Sequence, residues 1–444
     1  MILPRLFALT VGLWLMMAYP LQAGVTLLRD ADIEYSLRQL ADPVLRAAGL
    51  SPNQVQILVI DDNTLNAFVV DTQRIFLHSG LILKLKTAAE LQAVIAHEAA
   101  HITNGHITRR LGNMRAARNA AGLGLILAAA AGAAAGGEAG GEVAAGIAIG
   151  SQSSALRLFL SHTRAEEASA DIASVRYLLR AGVDPAGAVA VQELFRGQEA
   201  LSVSRQDPYM RTHPLTSDRL RALKGLVAGH TGQAVQDGAA NYWFARIQGK
   251  LSAFSRAPNW TLRRAKDSAS RDIALMREAV AHHRQSNLSK ALPAIDAALA
   301  LRTKDPYLLE LKGQILLESR QFEASAQVYR AAAAMAPREA LILGGYGRAL
   351  LAVGRYSDAL NVLEQARNRD FGDARILRDL AVAYARSGQN AMASVVTAER
   401  YALQGRLDDA EIHAKRAEGA LPQGSGPWQR AQDVLDAARR AKRR

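Results

Sequence analysis

The 444-residue chain contains no cysteine. This absence excludes disulfide frameworks, thiol nucleophiles and thiolate metal sites. Any metal ion must therefore be held by imidazole and carboxylate groups. Aromatic residues are scarce at 5%, but apolar residues reach 49% and charged residues 21%. That balance excludes a wholly disordered or fibrous chain, and the length predicts two or three folded domains.

Basic residues outnumber acidic ones, with 54 Lys and Arg against 41 Asp and Glu, a net charge of +13. Such a charge is compatible with nucleic acid, anionic lipid or an acidic protein as partner. Much of the excess lies in a basic C-terminal tail, residues 439–444. Because the sequence has no zinc-finger, RNP or helix-turn-helix motif, we expect no nucleic-acid partner.

Residues 1–23 have the three parts of a secretory signal peptide. Arg5 supplies the basic start, residues 6–17 the apolar core, and Ala23 the small residue at the expected cleavage point. An uncleaved anchor stays open as an alternative because Leu21 is not the small residue preferred there. The apolar core is nevertheless short for a bilayer span. We therefore expect an exported protein that is soluble or peripherally associated with a membrane.

The part of the chain that follows mixes helical and extended patterns. Apolar residues recur at helical spacing over residues 28–41, and longer helices are predicted over residues 87–117 and 153–181. Three short runs rich in Val, Ile and Phe predict a small sheet, namely residues 54–60, 66–70 and 74–78.

Residues 120–149 form a segment rich in alanine and glycine. Its simplest interpretation is a pair of close-packed helices around a glycine turn. A membrane hairpin and association with a membrane surface are the alternatives. Each apolar piece is shorter than the roughly 20 residues that a span requires, which disfavours the hairpin.

From about residue 272 the sequence becomes a series of alanine-rich helix pairs. Small residues recur 34 positions apart in the pairs Gly313 and Gly347, Ser325 and Ala359, and Ala332 and Ala366, with Ala291 and Ala298 one period earlier. This pattern resembles tetratricopeptide repeats, in which small residues lie where the two helices of a repeat cross. After Gly388 the frame shifts, because Gly405 follows only 17 residues later. The shift predicts one helix shared by two repeats, and a plain helical bundle is the alternative.

Residues 97–101 read HEAAH inside the helix predicted over 87–117. Two histidines four residues apart lie on one helix face, so that His97 and His101 can bind the same ion. Glu98 can then reach the open position and take a proton from a metal-bound water. The pattern predicts a zinc site of the kind that hydrolyses peptide bonds, although it also occurs in unrelated helices.

The segment from Glu166 to Asp171 offers a third protein ligand. Glu167 and Asp171 are four residues apart on a predicted helix and share one face. One carboxylate can bind the metal while the other accepts the free N–H of a ligating histidine. Glu166 is an alternative ligand, and the two acids could also be exposed side chains that bind no metal.

HEAAH at 97–101 is followed by EASAD at 167–171. This succession resembles the signature of the CAAX-prenyl-protease/HtpX superfamily of zinc endopeptidases, which is HExxH followed by ExxAD. Further segments within residues 27–225 look like the same family, namely RDADIE at 29–34, NAFV at 66–69, SGLI at 79–82 and THP at 212–214. A signal peptide before the peptidase and repeats after it are similar to the periplasmic branch of the family. The resemblance implies an α+β zincin-like peptidase domain over residues 24–265, mostly helical with a small sheet. An all-α tetratricopeptide-repeat solenoid would follow over residues 266–444.

The resemblance also implies roles for single residues. It makes His97, His101 and Glu167 the ligands of one zinc ion, with Glu98 as the general base. It makes Asp171 the acid that accepts the free N–H of a ligating histidine and so holds that ligand in place. Glu167 is favoured over Glu166 because only Glu167 is in register with the ExxAD pattern.

Two residues further along the chain complete the implied site. Pro214 restricts His213 to extended conformations, so this histidine is expected in a loop. The resemblance implies that His213 is a possible regulatory fourth ligand and that Arg219 contacts the acidic site helix. A plain loop histidine is the alternative for His213.

The remaining histidines are expected to have no part in the chemistry. On a continuous helix His106 projects about 140° away from His101 and is expected to be structural. Surface or packing positions are expected for His78, His162, His230, His282, His283 and His413.

The implied activity is cleavage of unfolded or stalled outer-membrane proteins in the periplasm. The repeats would recruit these substrates or an outer-membrane assembly machine, and contact with a membrane would be peripheral. Two alternatives remain open at this point. One is a repeat-based chaperone or scaffold with a latent peptidase domain, and the other is a membrane-embedded protease that uses residues 120–149 as a hairpin.

Overall fold

The computed structural model describes residues 26–117, 162–202, 205–230 and 237–442. The predicted signal peptide, the segment 120–149 and the last two residues of the basic tail lie outside the described residues. Within the described ranges, no helix is both long enough and apolar enough to cross a membrane.

A small sheet lies near the start of the described chain. Its strands are β1 (Leu27–Leu28), β2 (Gln56–Ile60), β3 (Ala67–Val69) and β4 (Arg74–His78), in the order β1-β2-β4-β3. The central pair β2 and β4 is parallel, with Gln56 opposite Arg74, while β1 and β3 run antiparallel to their neighbours. The three predicted strands are confirmed, and β3 is an edge strand.

Ten helices of the described chain surround or follow this sheet. They are α1 (Ala31–Ala47), α2 (Ser79–Lys84), α3 (Ala88–Thr103), α4 (His106–Ala117), α5 (Arg164–Arg180), α6 (Ala186–Leu194), α7 (Pro208–Thr212), α8 (Ser217–Ala228), α9 (Gly238–Ser255) and α10 (Pro258–Arg264). Helix α3 packs against α1, α5 and α6, and every residue from Glu90 to Ile102 is buried. The helix that carries the HEAAH motif therefore runs through the interior of the domain.

The single helix predicted over residues 87–117 is wrong. Helix α3 ends at Thr103, two residues follow in a turn, and α4 begins at His106. Gly105 has a φ of 69°, a left-handed conformation that ends helices and that glycine adopts without steric cost. The break changes the direction of the chain immediately after His101.

The second half of the described chain is a series of antiparallel helix pairs. Its helices are α11 (Arg271–Arg284), α12 (Leu288–Leu301), α13 (Pro306–Glu318), α14 (Phe322–Met335), α15 (Ala340–Ala352), α16 (Tyr356–Arg369), α17 (Ala374–Arg386), α18 (Asn390–Leu403), α19 (Leu407–Glu418) and α20 (Gly426–Lys442). The predicted small residues lie at the helix crossings. A Cβ at Gly313 would overlap the Tyr329 ring, and one at Gly347 would overlap Leu363.

The backbone of these repeats shows the 34-residue period directly. Left-handed residues end the first helix of successive pairs at Ser286, Arg320, Gly354 and Gly388, each 34 positions after the last. The next such residue, Gly405, follows Gly388 after 17 positions. Helix α18 accordingly packs against both α17 and α19, which confirms the predicted helix shared by two repeats.

The repeats dock on the first domain through α1 and α9. Arg246 and Lys250 on α9 are buried, and their charges meet acidic groups of both halves. The Arg246 guanidinium lies 2.7 Å from Asp32 and 2.5 Å from Asp305, and the Lys250 ammonium lies 2.8 Å from Asp30. Removing one partner of such a buried pair typically costs about 3–5 kcal/mol. The network therefore fixes the repeats in one orientation on the domain that carries the motif.

The left-handed positions of the repeats generate a stability prediction. Arg320 is exposed and holds a φ of 61°, where an L-residue carries roughly 1–2 kcal/mol of strain. Arg320→Gly removes that strain, while the extra freedom of glycine in the unfolded chain offsets part of the gain. We expect the free energy of unfolding to rise by about 0.5–1 kcal/mol in urea denaturation.

The matched control is Gly354→Ala, one period along. Nothing lies within 4 Å of a Cβ at this position, so the substitution tests the backbone alone. We expect it to lower the free energy of unfolding by about 1 kcal/mol. Destabilisation of similar size by both substitutions would contradict this account of the repeat turn.

Candidate metal centre

Three of the predicted ligands converge where α3 faces α5. The Nε2 atoms of His97 and His101 are 3.1 Å apart, one helical turn from each other on the same face of α3. Glu167, in the first turn of α5, places one carboxylate oxygen 3.4 Å from His97 Nε2 and the other 3.3 Å from His101 Nε2. All three side chains are buried. Ligand atoms from these residues and from His213 lie within 4.8 Å of one another.

The arrangement of atoms fits a cation. An imidazole nitrogen that binds a metal presents a lone pair, and so does a carboxylate oxygen. Two such nitrogens and a carboxylate facing each other in a buried space repel unless a cation or a proton lies between them. The donors are nitrogen and oxygen only, which suits zinc in a site with three protein ligands and an open position.

A second layer of contacts holds Glu167 and His97 in place. Asp171, one turn further along α5, lies 3.3 Å from Nδ1 of His97, the ring nitrogen that faces away from the cluster. The Arg219 guanidinium of α8 bridges the two acids, 2.6 Å from Glu167 and 2.5 Å from Asp171. Burial alone would raise the pKa of Glu167, but His213 and Arg219 hold that pKa well below its usual value. The site therefore keeps Glu167 as a carboxylate.

Glu98 lies beside the side chains of His97, His101 and Glu167, and its carboxylate forms no hydrogen bond with any described residue. Its side chain is fully buried, and neither carboxylate oxygen has a hydrogen-bond partner among the described residues. His213 lies close to it, with its Nε2 3.5 Å from Oε1 of Glu98. Burial raises the pKa of the Glu98 carboxyl group. A buried carboxylate without a donor beside converging metal ligands is suited to accept a proton from a bound water.

His213 follows α7 and reaches into the same space. Its Nε2 is 3.2 Å from the carbonyl oxygen of Ala67 on edge strand β3, and its Nδ1 is 3.0 Å from Oε1 of Glu167. If Nε2–H donates to the carbonyl, Nδ1 presents its lone pair to the metal position. The Tyr209 ring stacks on His213 at 4.5 Å between ring centroids and fixes its plane.

Glu166, the alternative ligand, points elsewhere. Its carboxylate accepts a hydrogen bond from the backbone N–H of Thr163, and the Thr163 hydroxyl accepts one from the N–H of Glu166. This capping box begins α5. Arg110 lies 3.4 Å from the same carboxylate, so Glu166 serves the helix end and not the ligand cluster.

Two histidines expected to be structural or peripheral lie against the cluster. The Nδ1 of His106 is 2.9 Å from Nδ1 of His101, because the break at Gly105 turns α4 back toward the site. The ring of His162 lies 3.6 Å from that of His101, centroid to centroid, and is buried. The expected direction of the His106 side chain, away from His101, was wrong because it assumed a continuous helix. A glycine directly before His106 was the signal in the sequence that could have corrected it.

Comparison with known proteins agrees with this geometry. Residues 28–227 match the model of peptidase family M48, and residues 316–381 match a tetratricopeptide-repeat model. The chain carries a peptidase family M48 domain followed by tetratricopeptide repeats. That domain is the catalytic domain of a metalloprotease, and the predicted fold class is confirmed.

One similar protein aligns with nearly the whole chain, and two others align with less than half of it. The beta-barrel assembly-enhancing protease of Escherichia coli O157:H7 is 24% identical over 430 residues, 96% of this chain and 86% of that protein. A Vibrio cholerae relative is 28% identical over 219 residues, but the alignment spans only 43% of its length. The mitochondrial metalloendopeptidase OMA1 of Schizosaccharomyces pombe is 26% identical over 184 residues, 41% of this chain and 49% of that protein.

The two neighbouring glutamates of α5 provide a direct test of the ligand set. We expect Glu167→Gln to lose metal affinity by orders of magnitude, because a neutral amide would replace the only anionic donor among the predicted ligands His97, His101 and Glu167. Glu166→Gln is the matched control, since glutamine preserves a capping box and lies outside the cluster. Metal content after dialysis against a weak chelator is the measurement. Equal metal content in the two variants would contradict the assignment of Glu167.

Proposed function

We propose that this chain is a zinc-dependent metalloendopeptidase in which His97, His101 and Glu167 hold one zinc ion. The observation that carries the proposal is the buried Glu98 carboxylate, which has no hydrogen-bond partner within the described part of the chain and lies beside the three converging side chains. Zinc bound there would act as a Lewis acid and bring the pKa of a water molecule near neutrality. Asp171 would keep the His97 ring oriented, and Arg219 would hold both acids of α5.

Glu98 would act first as the general base and then as the general acid of the reaction. Its position allows it to take a proton from the nucleophilic water and to deliver it to the departing amine of the cleaved bond. A carboxyl group whose pKa is raised by burial is better matched to this two-way transfer than an ordinary glutamate. We infer that no acyl-enzyme intermediate forms, because Glu98 would act as a base on water and water would be the nucleophile.

His213 would hold the enzyme in a silent state. With three protein ligands, a catalytic zinc has one position for water, and Nδ1 of His213 would occupy it; the proximity of His213 to the three other side chains supports this role. The hydrogen bond to Ala67 also engages a carbonyl of the edge strand β3, where an extended substrate backbone would pair. Movement of the segment around His213 would free both positions together.

The cellular role follows from the other parts of the chain. We infer export to the periplasm, supported by the signal-peptide pattern in residues 1–23 and by the beta-barrel assembly-enhancing relatives. Substrates would be unfolded or misassembled proteins of the outer membrane. The repeats, here assigned to residues 266–444, would recruit them or the assembly machinery, and residues 24–265 would form the peptidase domain.

Glu98→Gln tests the catalytic assignment. The substitution keeps the three ligands and removes the base, so we expect zinc content to be unchanged while cleavage of casein falls by orders of magnitude. Near-wild-type cleavage by this variant would refute the role of Glu98. A wild-type protein that binds zinc but never cleaves would favour the alternative of a repeat-based chaperone with a latent peptidase domain.

His213→Ala tests the silent state. We expect higher basal cleavage with unchanged zinc content, since the competing ligand is gone and the three-ligand site remains. The increase should vanish in the double variant with Glu98→Gln. His230→Ala, outside the ligand cluster, is the control and should leave cleavage unchanged. Unchanged or lower activity of His213→Ala would instead assign His213 to substrate binding.

A further inference from the structure

The two histidine ligands of α3 are supported in different ways. Each turns Nε2 toward the metal position, so each must carry its proton on Nδ1 if it is neutral. The Nδ1 of His97 faces a carboxylate, that of Asp171, at 3.3 Å. The Nδ1 of His101 faces a second imidazole, that of His106, at 2.9 Å. The described residues offer His101 no other hydrogen-bond partner on this side.

The break between α3 and α4 creates this contact. Without the turn at Asn104 and Gly105, the side chain of His106 would point about 140° away from His101. With the turn, both rings are enclosed, His101 with 0% and His106 with 2% of its surface exposed. A buried N–H without an acceptor costs roughly 1–3 kcal/mol, so the partner of His101 Nδ1 matters to the site.

A second metal ion between His101, His106 and His162 is the competing interpretation, since their ligand atoms also lie within 4.8 Å of one another. The ring planes argue against it. His162 stacks on His101 with an angle of 33° between the rings, so their in-plane lone pairs do not converge on one point. In addition, the Arg110 guanidinium lies 2.9 Å from Nδ1 of His162 and brings a positive charge to the cluster. The contact between His101 and His106 is therefore a hydrogen bond.

We propose that His106 is a positioning residue of the metal site, whose Nδ1 accepts the Nδ1–H of His101. The hydrogen bond selects the tautomer of His101 that presents the Nε2 lone pair to the metal, and it fixes the plane of the ring. In this arrangement the ring N–H of His106 is on Nε2. The proposal rests on the proposed zinc site and extends it by one residue that touches neither metal nor substrate.

The test compares two substitutions of His106 by zinc affinity. His106→Leu fills the space without an acceptor, whereas His106→Asn places a carbonyl oxygen near the position of Nδ1. Loss of such a support typically weakens metal binding about 10–100-fold. We expect this loss for the leucine variant, measured by competition with a chromogenic chelator, and recovery to within a few-fold of wild type for the asparagine variant. The melting temperatures of the metal-free proteins show whether each variant folds.

A second measurement needs no variant. In the wild-type zinc protein, ¹⁵N NMR of the imidazoles should show His101 protonated on Nδ1, with scalar coupling across the hydrogen bond to Nδ1 of His106. If the leucine and asparagine variants bind zinc with equal affinity, the role of His106 alone is overturned. The same holds if His101 is protonated on Nε2. A wild-type protein that binds no zinc would overturn the proposed function with it.

Discussion

The candidate metal centre depends on the two ion pairs that the Arg219 guanidinium makes with Glu167 and Asp171. Glu167 and Asp171 are two buried acids one turn apart on α5, and burying two such charges without a partner is unfavourable. Arg219 contacts both, at 2.6 and 2.5 Å, and so places one carboxylate among the ligands and the other behind His97. Because Arg219 lies on α8, the shared cation joins α5 to α8, while both acids of α5 contact His97 of α3.

The interior position of α3 provides the other half of this constraint. Helix α3 is buried on every side, so His97 and His101, its two proposed ligands, cannot move independently of the domain core. Helix α1 packs on α3 and, through Asp32, joins the charged network of Arg246 and Lys250 at the base of the repeats. The repeats are thus attached to α1, the helix that packs on α3 and supports the site. A partner bound by the repeats would therefore be connected to α3 through α1, which packs rigidly on it.

Much of this site could be predicted because its signals are local. Four-residue spacing places His97 with His101, and Glu167 with Asp171, on common helix faces whatever the rest of the fold does. The repeat period was equally readable, since small residues mark each helix crossing. The contacts of His106 and His162 depend instead on the backbone of Gly105 and on the meeting of distant segments. The buried charges of Arg246 and Lys250 were also invisible in sequence, because an isolated helix presents such residues to solvent.

The most direct test of the account is X-ray absorption at the zinc edge of the purified full-length protein. We expect one zinc ion per chain, with nitrogen and oxygen ligands at about 2.0–2.2 Å and the outer-shell scattering of imidazole rings. The imidazole contribution should fall in a His97→Ala variant. A protein without zinc, or a zinc environment that His97→Ala leaves unchanged, would contradict the central claim that α3 and α5 together hold the metal.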